Sequence, residues 1–368
     1  MTNETVFIPV DMLQNFIRDT FIKVGVPADE AQVCSEVLIA SDLRGIESHG
    51  IGRLKYYYDR IKSGQHKTIT NLEIVRESPT TAVVDGHDGM GMIVGTRSMQ
   101  LAIDKANTYG MGSVAVRNST HFGIAGYYAM MAARAGMVGM NFTNARPSIA
   151  PTFGVQPMMG TNPIAFACPT DEAFPYVFDA ATSIVQRGKF EVLERKGKPA
   201  NPGWAVTQQG EMITDPTAVI KGLNNDTVAL LPLGGYDETL GGHKGYGLAT
   251  IVEILCSALQ SGAFLHNLLG FDAQGNKRSF MVGHFFMAIK VENFVELDVY
   301  KKNIGDLLRE LRASRKAPGC GRIYTAGEKE YEMEKVVRQN GVQAVPALQK
   351  EIKYIQQELG LWEYSFPF

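Results

Sequence analysis

Two short stretches of this chain combine residue types that could transfer a proton and bind a carboxylate. In the first, residues 114–126 (VAVRNSTHFGIAG), His121 follows an apolar run that predicts a strand and precedes helix formers that begin near Tyr127. Histidine exchanges a proton near neutral pH because its unperturbed pKa is about 6.5. A strand-to-helix turn is a frequent ligand site in α/β proteins, since N–H groups of the helix converge there. The structural alternative is a histidine that caps or packs the first turn of the helix.

The second stretch, residues 47–53 (ESHGIGR), predicts the start of a helix with Ser48 as its N-cap. His49 and Arg53 are four residues apart and would then share one helix face. A helix N-terminus favours an anion, and the planar guanidinium of Arg53 matches a carboxylate with two hydrogen bonds. Two cations beside a helix N-terminus are a poor choice for stability alone, so a carboxylate site is favoured over a solvated helix end.

Two glycine-rich stretches are candidates for binding a phosphate or a dinucleotide. Residues 89–95 (GMGMIVG) lie between a predicted strand and a predicted helix, as a dinucleotide fingerprint would. Their spacing is GxGxxxG, however, and the next predicted strand ends in Arg117 where an acidic residue would hold the ribose. Residues 241–245 (GGHKG) begin a predicted helix, so His243 and Lys244 could bind a phosphate or carboxylate. A flexible loop with a solvated lysine is the alternative there.

Other chemistries find little support in the residue pattern. The remaining histidines show no HxxxH or HxxE spacing, no GxSxG motif is present, and the four cysteines lie far apart without a CxxC pair. The sequence therefore predicts no metal site, no serine nucleophile and no disulfide framework.

The composition is that of a globular protein in a reducing compartment. With 368 residues, a net charge of −2 and 45% apolar residues, the chain is expected to form one large unit of two or three lobes. It lacks the strongly basic character that would indicate nucleic acid or a membrane surface as a partner. No signal peptide and no long uncharged apolar segment is evident, which predicts a cytoplasmic protein.

The predicted elements run from helices through mixed strands and helices and back to helices, which indicates an α/β protein. Apolar spacing predicts helices over about 10–24, 27–43, 48–64, 93–109 and 242–259. Strands are predicted within 70–85 and at 111–116, 139–144, 164–168, 176–179 and 281–291, with a hairpin over 204–214. The residues after Asp298 are predicted to be mainly helical.

Five motifs, in this order, resemble those of the malate/L-lactate dehydrogenase superfamily, the type unrelated to the Rossmann-fold lactate and malate dehydrogenases. They are DLRGIESHGIGR at 42–53, NSTHFG at 118–123, GTNP at 160–163, FDAAT at 178–182 and GHKGYG at 242–247. The similarity extends over nearly the whole chain. It implies a non-Rossmann α/β fold with a mixed central sheet, helical N- and C-terminal segments, and NAD or NADP as the cofactor.

The resemblance also implies roles for particular residues and lobes. His121 becomes the acid/base, and Ser48, His49 and Arg53 become neighbours of the substrate. The implied cofactor neighbours are His121, Gly123, Thr161, Asn162, Asp179, Ala180, Ala181, His243 and Lys244. A helical substrate and dimerisation lobe would comprise residues 1–80 and 295–368, and a central α/β cofactor-binding lobe residues 81–294. Members of the family are usually homodimers with the site near the subunit interface.

One position departs from the family pattern. Members often carry a small polar residue after the position of Asn144, where this chain has Ala145 followed by Arg146. Arg146 could instead hold a second carboxylate of the substrate. The resulting hypothesis is reversible oxidation of a 2-hydroxy acid, foremost malate. The alternatives are reduction of another oxo acid or a cyclic imine acid on the same fold, and a protein that binds a dinucleotide or carboxylate without catalysis.

Overall fold

The computed structural model describes residues 4–195 and 197–368 as an α/β structure around one mixed sheet. Its helices are α1 (Val10–Lys23), α2 (Ala28–Leu43), α3 (Leu54–Lys62), α4 (Gly91–Tyr109), α5 (Gly126–Arg134), α6 (Arg187–Arg195), α7 (Pro216–Asn224), α8 (Gly242–Ser257), α9 (Leu297–Ala313), α10 (Glu328–Asn340) and α11 (Pro346–Leu359). Its strands are β1 (Val6–Ile8), β2 (Glu73–Glu77), β3 (Thr81–Asp85), β4 (Met111–Ser119), β5 (Met137–Thr143), β6 (Ile164–Cys168), β7 (Tyr176–Ala180), β8 (Ala205–Thr207), β9 (Val228–Leu230), β10 (Val282–Lys290) and β11 (Val342–Ala344). No helix among the described residues has the length and apolar character needed to cross a membrane.

The central sheet has the strand order β2-β3-β4-β10-β5-β6-β7. Within it β3 and β4 are parallel and are joined through α4, whereas the other neighbouring strands are antiparallel. Strand β10, from late in the chain, lies between β4 and β5. This arrangement confirms the predicted mixed sheet and differs from the parallel sheet of a Rossmann fold.

Successive residues of the sheet pack against different helices, because side chains alternate between the two faces of a strand. Phe286 belongs to the core beneath α4 and α5, whereas its neighbour Phe285 packs against Val252 of α8. The sheet is therefore the middle layer of the molecule. The loops at the ends of β4 and β5, which carry His121 and Arg146, emerge from this rigid layer.

A separate core joins the two ends of the chain. Helices α1, α2, α3 and α11 share it, and β1 pairs antiparallel with β11 so that Phe7 lies opposite Gln343. The C-terminal segment also packs there, with the Tyr364 and Phe366 rings edge-on to Phe16 at centroid distances of 5.4 and 5.0 Å. Helices α1 and α2 occupy the residues that the apolar spacing predicts. The division of the chain into two lobes stays a prediction.

A third, smaller core lies among α6, α7, β8 and β9. The hairpin predicted over 204–214 is present but short: a bridge joins Val206 to Met212, and the Thr207 N–H donates to the Glu211 carbonyl at 2.9 Å. The longer partner of β8 is β9, which the sequence analysis did not predict. The chain after the Gly210 turn reaches Asp215, which caps α7 through the Thr217 N–H, with Pro216 as the first helical residue. Helix α7 thus begins before a second strand of useful length can form.

Candidate active site

His121 lies in the loop between β4 and α5, and its Nδ1 atom has two polar neighbours. Tyr57 Oη lies 2.6 Å from Nδ1, and the Gly123 nitrogen lies 3.3 Å from Nδ1. Gly123 has a φ of +80°, and a Cβ there would lie 2.5 Å from Val37, so this turn requires glycine. The Gly123 contact is long and Tyr57 Oη can accept from Nδ1, so the neutral ring is assigned its proton on Nδ1. Nε2 is then the nitrogen that remains for a substrate.

The surroundings of His121 favour its neutral form. Burial holds the pKa of His121 well below its usual value, and the nearby His49 and Arg53 act in the same direction. The His49 ring stacks on that of His121, with 5.5 Å between centroids and 24° between planes. A neutral imidazole accepts a proton at physiological pH, which is what a general base must do.

The chain around Ser48 differs from the sequence-based prediction. Ser48 lies in a turn, and a short 3-10 segment (Ile51–Arg53) precedes α3. The carboxylate of Asp42, from the end of α2, accepts the Ile51 N–H at 2.8 Å and so takes the place of a local cap. A Cβ on Gly50 would lie 1.9 Å from Asp42 Oδ1, so glycine permits this approach. The predictions that Ser48 caps a helix and that His49 and Arg53 share a helix face are therefore wrong.

The turn nevertheless brings Ser48, His49 and Arg53 together. The Ser48 hydroxyl lies 2.8 Å from His49 Nδ1, and Arg53 Nε donates to the Ser48 carbonyl at 2.7 Å. Burial and the Arg53 charge lower the pKa of His49 to about 4. Among the described residues, the two terminal nitrogens of Arg53 have no hydrogen-bond partner. They are the donors that a planar carboxylate would require.

A cleft of about 480 Å³ opens beside this turn. Ser48, Arg53 and Tyr56 form one wall, and α6 and α11 contribute the other, for example through Gly188 and Leu348. His121 does not line the cleft itself. It lies next to the Tyr56 ring, whose centroid is 5.9 Å from that of His121.

The charges of three arginines act on Tyr56. The Arg60 guanidinium lies over the ring, 5.2 Å from its centroid. Burial raises the pKa of Tyr56, and the charges of Arg60, Arg53 and Arg146 oppose this increase. The Arg146 side chain is exposed, whereas Arg53 is half-buried. The charges of Arg53 and Arg146 thus act on the same ring.

Asp179, at the end of β7, occupies the N-terminus of α5. Its Oδ2 atom accepts the Gly126 N–H at 2.6 Å, although the residue as a whole is exposed. Desolvation of the carboxyl group by the surrounding protein raises the pKa of Asp179 to about 6. The Gly126 N–H and the Arg44 charge act in the opposite direction. The helix end that follows His121 is therefore occupied by a carboxylate of the chain and does not offer its first N–H to a ligand. Ala180 and Ala181 continue from this point along the same sheet edge.

Thr161 and Asn162 lie between β5 and β6, and Asn162 is fully buried. Asn162 Nδ2 donates to Glu253 Oε2 at 2.8 Å and to the Ala249 carbonyl at 3.0 Å, both on α8. The Thr161 carbonyl accepts the Thr182 N–H at 2.9 Å. The Asn162 side chain thus ties this loop to α8, and only Thr161 of the pair reaches the surface in part.

His243 and Lys244 are exposed in the first turn of α8. Gly241, before the helix, has a φ of +83°, and a Cβ on Gly242 would lie 2.1 Å from the Gly235 carbonyl oxygen. Two glycine turns therefore pack against each other at this helix end. A helix N-terminus beside an exposed lysine suits a phosphate group, which fits the predicted role.

The glycines at 89–95 pack the protein rather than hold a dinucleotide. A Cβ on Gly91 would lie 2.2 Å from the Thr120 carbonyl oxygen, and one on Gly95 would lie 2.8 Å from Tyr128. The Gly91 N–H donates to the Thr120 hydroxyl at 2.8 Å. The stretch thus brings α4 against the loop that carries His121.

Two residues of the site are not predicted by the sequence analysis. Tyr57 belongs to the buried side of α3, so its apolar setting gave no sign of a partner in His121. Asp42 was part of a recognised motif, but its acceptor role depends on the turn at Gly50. Among the described residues, no group of three or more His, Cys, Asp or Glu side chains could hold a metal ion.

Comparison with known proteins gives a consistent set of relatives. The family model of malate/L-lactate dehydrogenases matches residues 8–353. A malate dehydrogenase of Pyrococcus horikoshii is 43% identical over 354 residues, which are 96% of this chain and 96% of that protein. An L-sulfolactate dehydrogenase of Methanocaldococcus jannaschii is 38% identical over 348 residues, or 95% of this chain and 96% of that protein. The crystal structure of malate dehydrogenase from Entamoeba histolytica matches with a TM-score of 0.94 and 44% identity, covering 99% of this chain and 100% of that one.

Proposed function

Since the chain belongs to the malate/L-lactate dehydrogenase family, we propose that its substrates are malate and oxaloacetate, interconverted with a nicotinamide cofactor. It is an NAD(P)-dependent 2-hydroxy acid dehydrogenase. The observation that most supports malate is the position of His121 next to Tyr56, which lines the cleft together with Arg53 and which the charges of Arg60 and Arg146 also reach. Malate carries two carboxylates, and Arg53 and Arg146 would each bind one of them.

The chain's own groups suffice for the proton transfer. Arg53 would bind the carboxylate next to the reacting carbon through its terminal nitrogens, and Arg146 the distal carboxylate. His121 Nε2, which is unprotonated when the neutral ring carries its proton on Nδ1, would accept the hydroxyl proton. The resulting imidazolium would donate from Nδ1 to Tyr57 Oη, which can act as acceptor as well as donor. In the reverse direction His121 returns this proton to the oxygen of oxaloacetate.

The residues at the sheet edge and at α8 fit a nicotinamide dinucleotide. We propose that His121, Gly123, Thr161, Asp179, Ala180, Ala181, His243 and Lys244 line its binding site, with the first turn of α8 toward its phosphates. Asn162 would act through the loop, because its side chain is fully buried. When bound, the cofactor accepts or supplies the hydride. Asp179 Oδ1 is free of the bond to Gly126 and is the acceptor available to a hydroxyl group.

One alternative substrate is supported by a specific observation. The relative from Methanocaldococcus jannaschii is an L-sulfolactate dehydrogenase, and a sulfonate resembles a carboxylate in charge and in its acceptor oxygens. The same arginines could therefore hold sulfolactate. Cyclic imine acids are a further alternative on this fold, but they lack the second anionic group that Arg146 would recognise.

We also propose that the protein is a homodimer that associates through α8. Five large apolar side chains on and just beyond this helix are 38–55% exposed: Leu248, Ile251, Ile254, Leu259 and Phe264. Ile254 and Phe264 of this set line an apolar groove of about 470 Å³. An exposed apolar patch of this kind is typical of an interface. Light scattering after gel filtration should give twice the chain mass for the wild type and the single-chain mass for Ile251→Lys, with Trp362→Lys as the control.

The direct test of the proposed function is an activity assay with a panel of substrates. Purified protein is mixed with NADH or NADPH and with oxaloacetate, pyruvate, sulfopyruvate or a cyclic imine acid, and the absorbance of the reduced cofactor is followed. Oxaloacetate should give the highest kcat/KM, and the two cofactors compared side by side give the cofactor preference. His121→Ala should lower kcat by at least about a hundredfold with the fold intact. Turnover of another acid but not of oxaloacetate would assign that acid as the substrate. Binding of NADH without any turnover would favour a non-catalytic protein.

A further inference from the structure

A second buried histidine, His284, connects the two strands that end at the active site. It lies on β10 and is fully buried. Its Nε2 atom is 2.8 Å from Ser119 Oγ at the end of β4, and its Nδ1 atom is 2.8 Å from Thr143 Oγ1 at the end of β5. Both ring nitrogens are thus used, one toward each neighbouring strand.

A bulge aligns His284 for this contact. The register between β10 and β4 shifts between Val282 and His284, with Gly283 as the intervening residue. A Cβ on Gly283 would lie 1.7 Å from the Cys256 carbonyl oxygen, so the backbone passes closer to α8 than any other residue would allow. The Gly283 N–H donates to Asn144 Oδ1 at 2.8 Å, which holds the bulge to the end of β5.

The hydrogen bonds of His284 require a neutral ring with one fixed tautomer. The Thr143 hydroxyl already donates to the carbonyls of Asn144 and Gly283, at 3.0 and 3.1 Å, so Nδ1 must donate to it. Nε2 of the neutral ring then accepts the Ser119 hydroxyl proton at 2.8 Å, since the other acceptor of this hydroxyl, the Thr120 carbonyl, is more distant at 3.5 Å. Burial lowers the pKa of His284 to about 3, against the effect of the Thr120 carbonyl, so this arrangement persists across physiological pH.

The ring of His284 also supports the His121 loop directly. Phe122, the residue after His121, stacks on His284 with 4.4 Å between centroids and 1° between planes. The other face of Phe122 stacks on Tyr128 at 4.7 Å. Phe122 is therefore held between two rings, and the backbone of its neighbour His121 has little freedom to move.

We propose that His284 is a positioning residue that sets the separation between the proton-transfer group and the arginine for the distal carboxylate. Through Ser119 and Phe122 it holds the loop of His121. Through Thr143 it holds the strand end from which Arg146 follows three residues later. The inference rests on the proposed function, since it takes His121 and Arg146 as groups that act on one substrate.

The two halves of this contact can be removed separately. In His284→Asn, the side-chain amide takes the place of Nδ1 and keeps the bond to Thr143, while the bond to Ser119 is lost. In His284→Gln, the amide reaches the place of Nε2 and keeps the bond to Ser119, while the bond to Thr143 is lost. The same two changes at His87, an exposed residue outside the site, serve as controls.

The proposal predicts opposite kinetic effects for the two variants. His284→Asn should lower kcat for malate about tenfold or more with KM within about twofold, because the His121 loop loses its support. His284→Gln should raise KM for malate about fivefold or more and change kcat less, because Arg146 moves relative to the reacting carbon. A residue that served stability alone would lower Tm and shift both parameters in parallel, and that result would overturn the proposal. If neither variant folds, Ser119→Ala and Thr143→Val make the same comparison.

A readout without malate separates this inference from the proposed function. Mass spectrometry can follow the rate at which diethyl pyrocarbonate modifies His121 in the folded protein. His284→Asn should accelerate this modification more than His284→Gln, because both variants lose the stack on Phe122 but only His284→Gln keeps the bond to Ser119. Equal rates in both variants would overturn the positioning role. Faster modification in His284→Asn, with no turnover of malate by the wild type, would retain it and reject the proposed substrate.

Discussion

Removal of one oxygen atom, in Tyr57→Phe, tests how His121 is prepared for proton transfer. Tyr57 is fully buried, and its hydroxyl lies 2.6 Å from His121 Nδ1. Phenylalanine keeps the ring and its packing, and it leaves Nδ1 with only the Gly123 N–H at 3.3 Å. The variant therefore removes the hydrogen bond with little change in shape.

The size of the effect follows from the charge that His121 gains. In the ground state the bond joins two neutral groups and contributes about 0.5–1.5 kcal/mol, whereas a bond from an imidazolium contributes about 1.5–3 kcal/mol. The bond is thus stronger in the transition state by about 1–2 kcal/mol, and each 1.36 kcal/mol corresponds to about a factor of ten in rate. We expect kcat for malate oxidation to fall about 5- to 30-fold, with little change in KM.

Steady-state kinetics of malate oxidation give the two parameters directly. Tyr58→Phe is the matched control, because Tyr58 is the next residue, is buried, and contacts Glu358 at the far side of the helix. Its kcat should equal that of the wild type. A kcat for Tyr57→Phe within about twofold of the wild type, with an unchanged Tm, would refute the idea that Tyr57 stabilises the protonated ring.

Three further predictions follow from the charges of the site and its surroundings. Because the pKa of His121 is held well below its usual value, kcat/KM for oxaloacetate, which needs the protonated ring, should fall about tenfold per pH unit throughout the neutral range, whereas kcat/KM for malate should stay level. The opposite slopes in a pH series would contradict the assignment. Arg146→Gln should lower kcat/KM for malate by about 10- to 100-fold and leave lactate unaffected, and an equal loss for both acids would remove Arg146 from distal binding. His66 is 2% exposed, neither of its ring nitrogens has a partner among the described residues, and burial lowers its pKa to about 3. The unfolded chain therefore binds a proton that the folded one does not, and stability falls as the pH drops below about 6.5; His66→Leu should recover about 2 kcal/mol of unfolding free energy at pH about 5 relative to neutral pH, as measured by denaturant unfolding.

The sequence predicts those parts of the structure that local periodicity determines. The strand before His121 and the helix after it lie within a few residues of the prediction, since both have a clear apolar pattern and glycine boundaries. The paired β1 and β11 were not predicted. Each has three residues, too few for an alternating pattern, and each depends on a partner at the opposite end of the chain.

The candidate site shows the same limit more sharply. Ser48, His49 and Arg53 lie together as the sequence predicts, but the helical geometry predicted for them is wrong. The group that caps the turn is Asp42 and the group that occupies the start of α5 is Asp179, and both carboxylates come from other elements. A capping group from a distant element cannot be predicted from local residue spacing. Ser48, whose residue type favours capping, therefore does not cap the helix and is available for another role.

The pairing of β1 with β11 has a consequence for how the protein is made. Strand β1 can pair only after β11 has been synthesised, because Phe7 lies opposite Gln343. Helix α11, which supplies part of one wall of the cleft, follows immediately after β11. Synthesis of the chain takes about 20–70 s at the usual rate of translation. During that time the apolar sides of α1 and α2 lack the cover that the last segment provides. A ribosome-bound nascent chain would therefore contain His121 and Arg53 but lack the complete cleft, so activity is expected only after release. The exposed apolar sides of α1 and α2 are expected to bind a chaperone during synthesis.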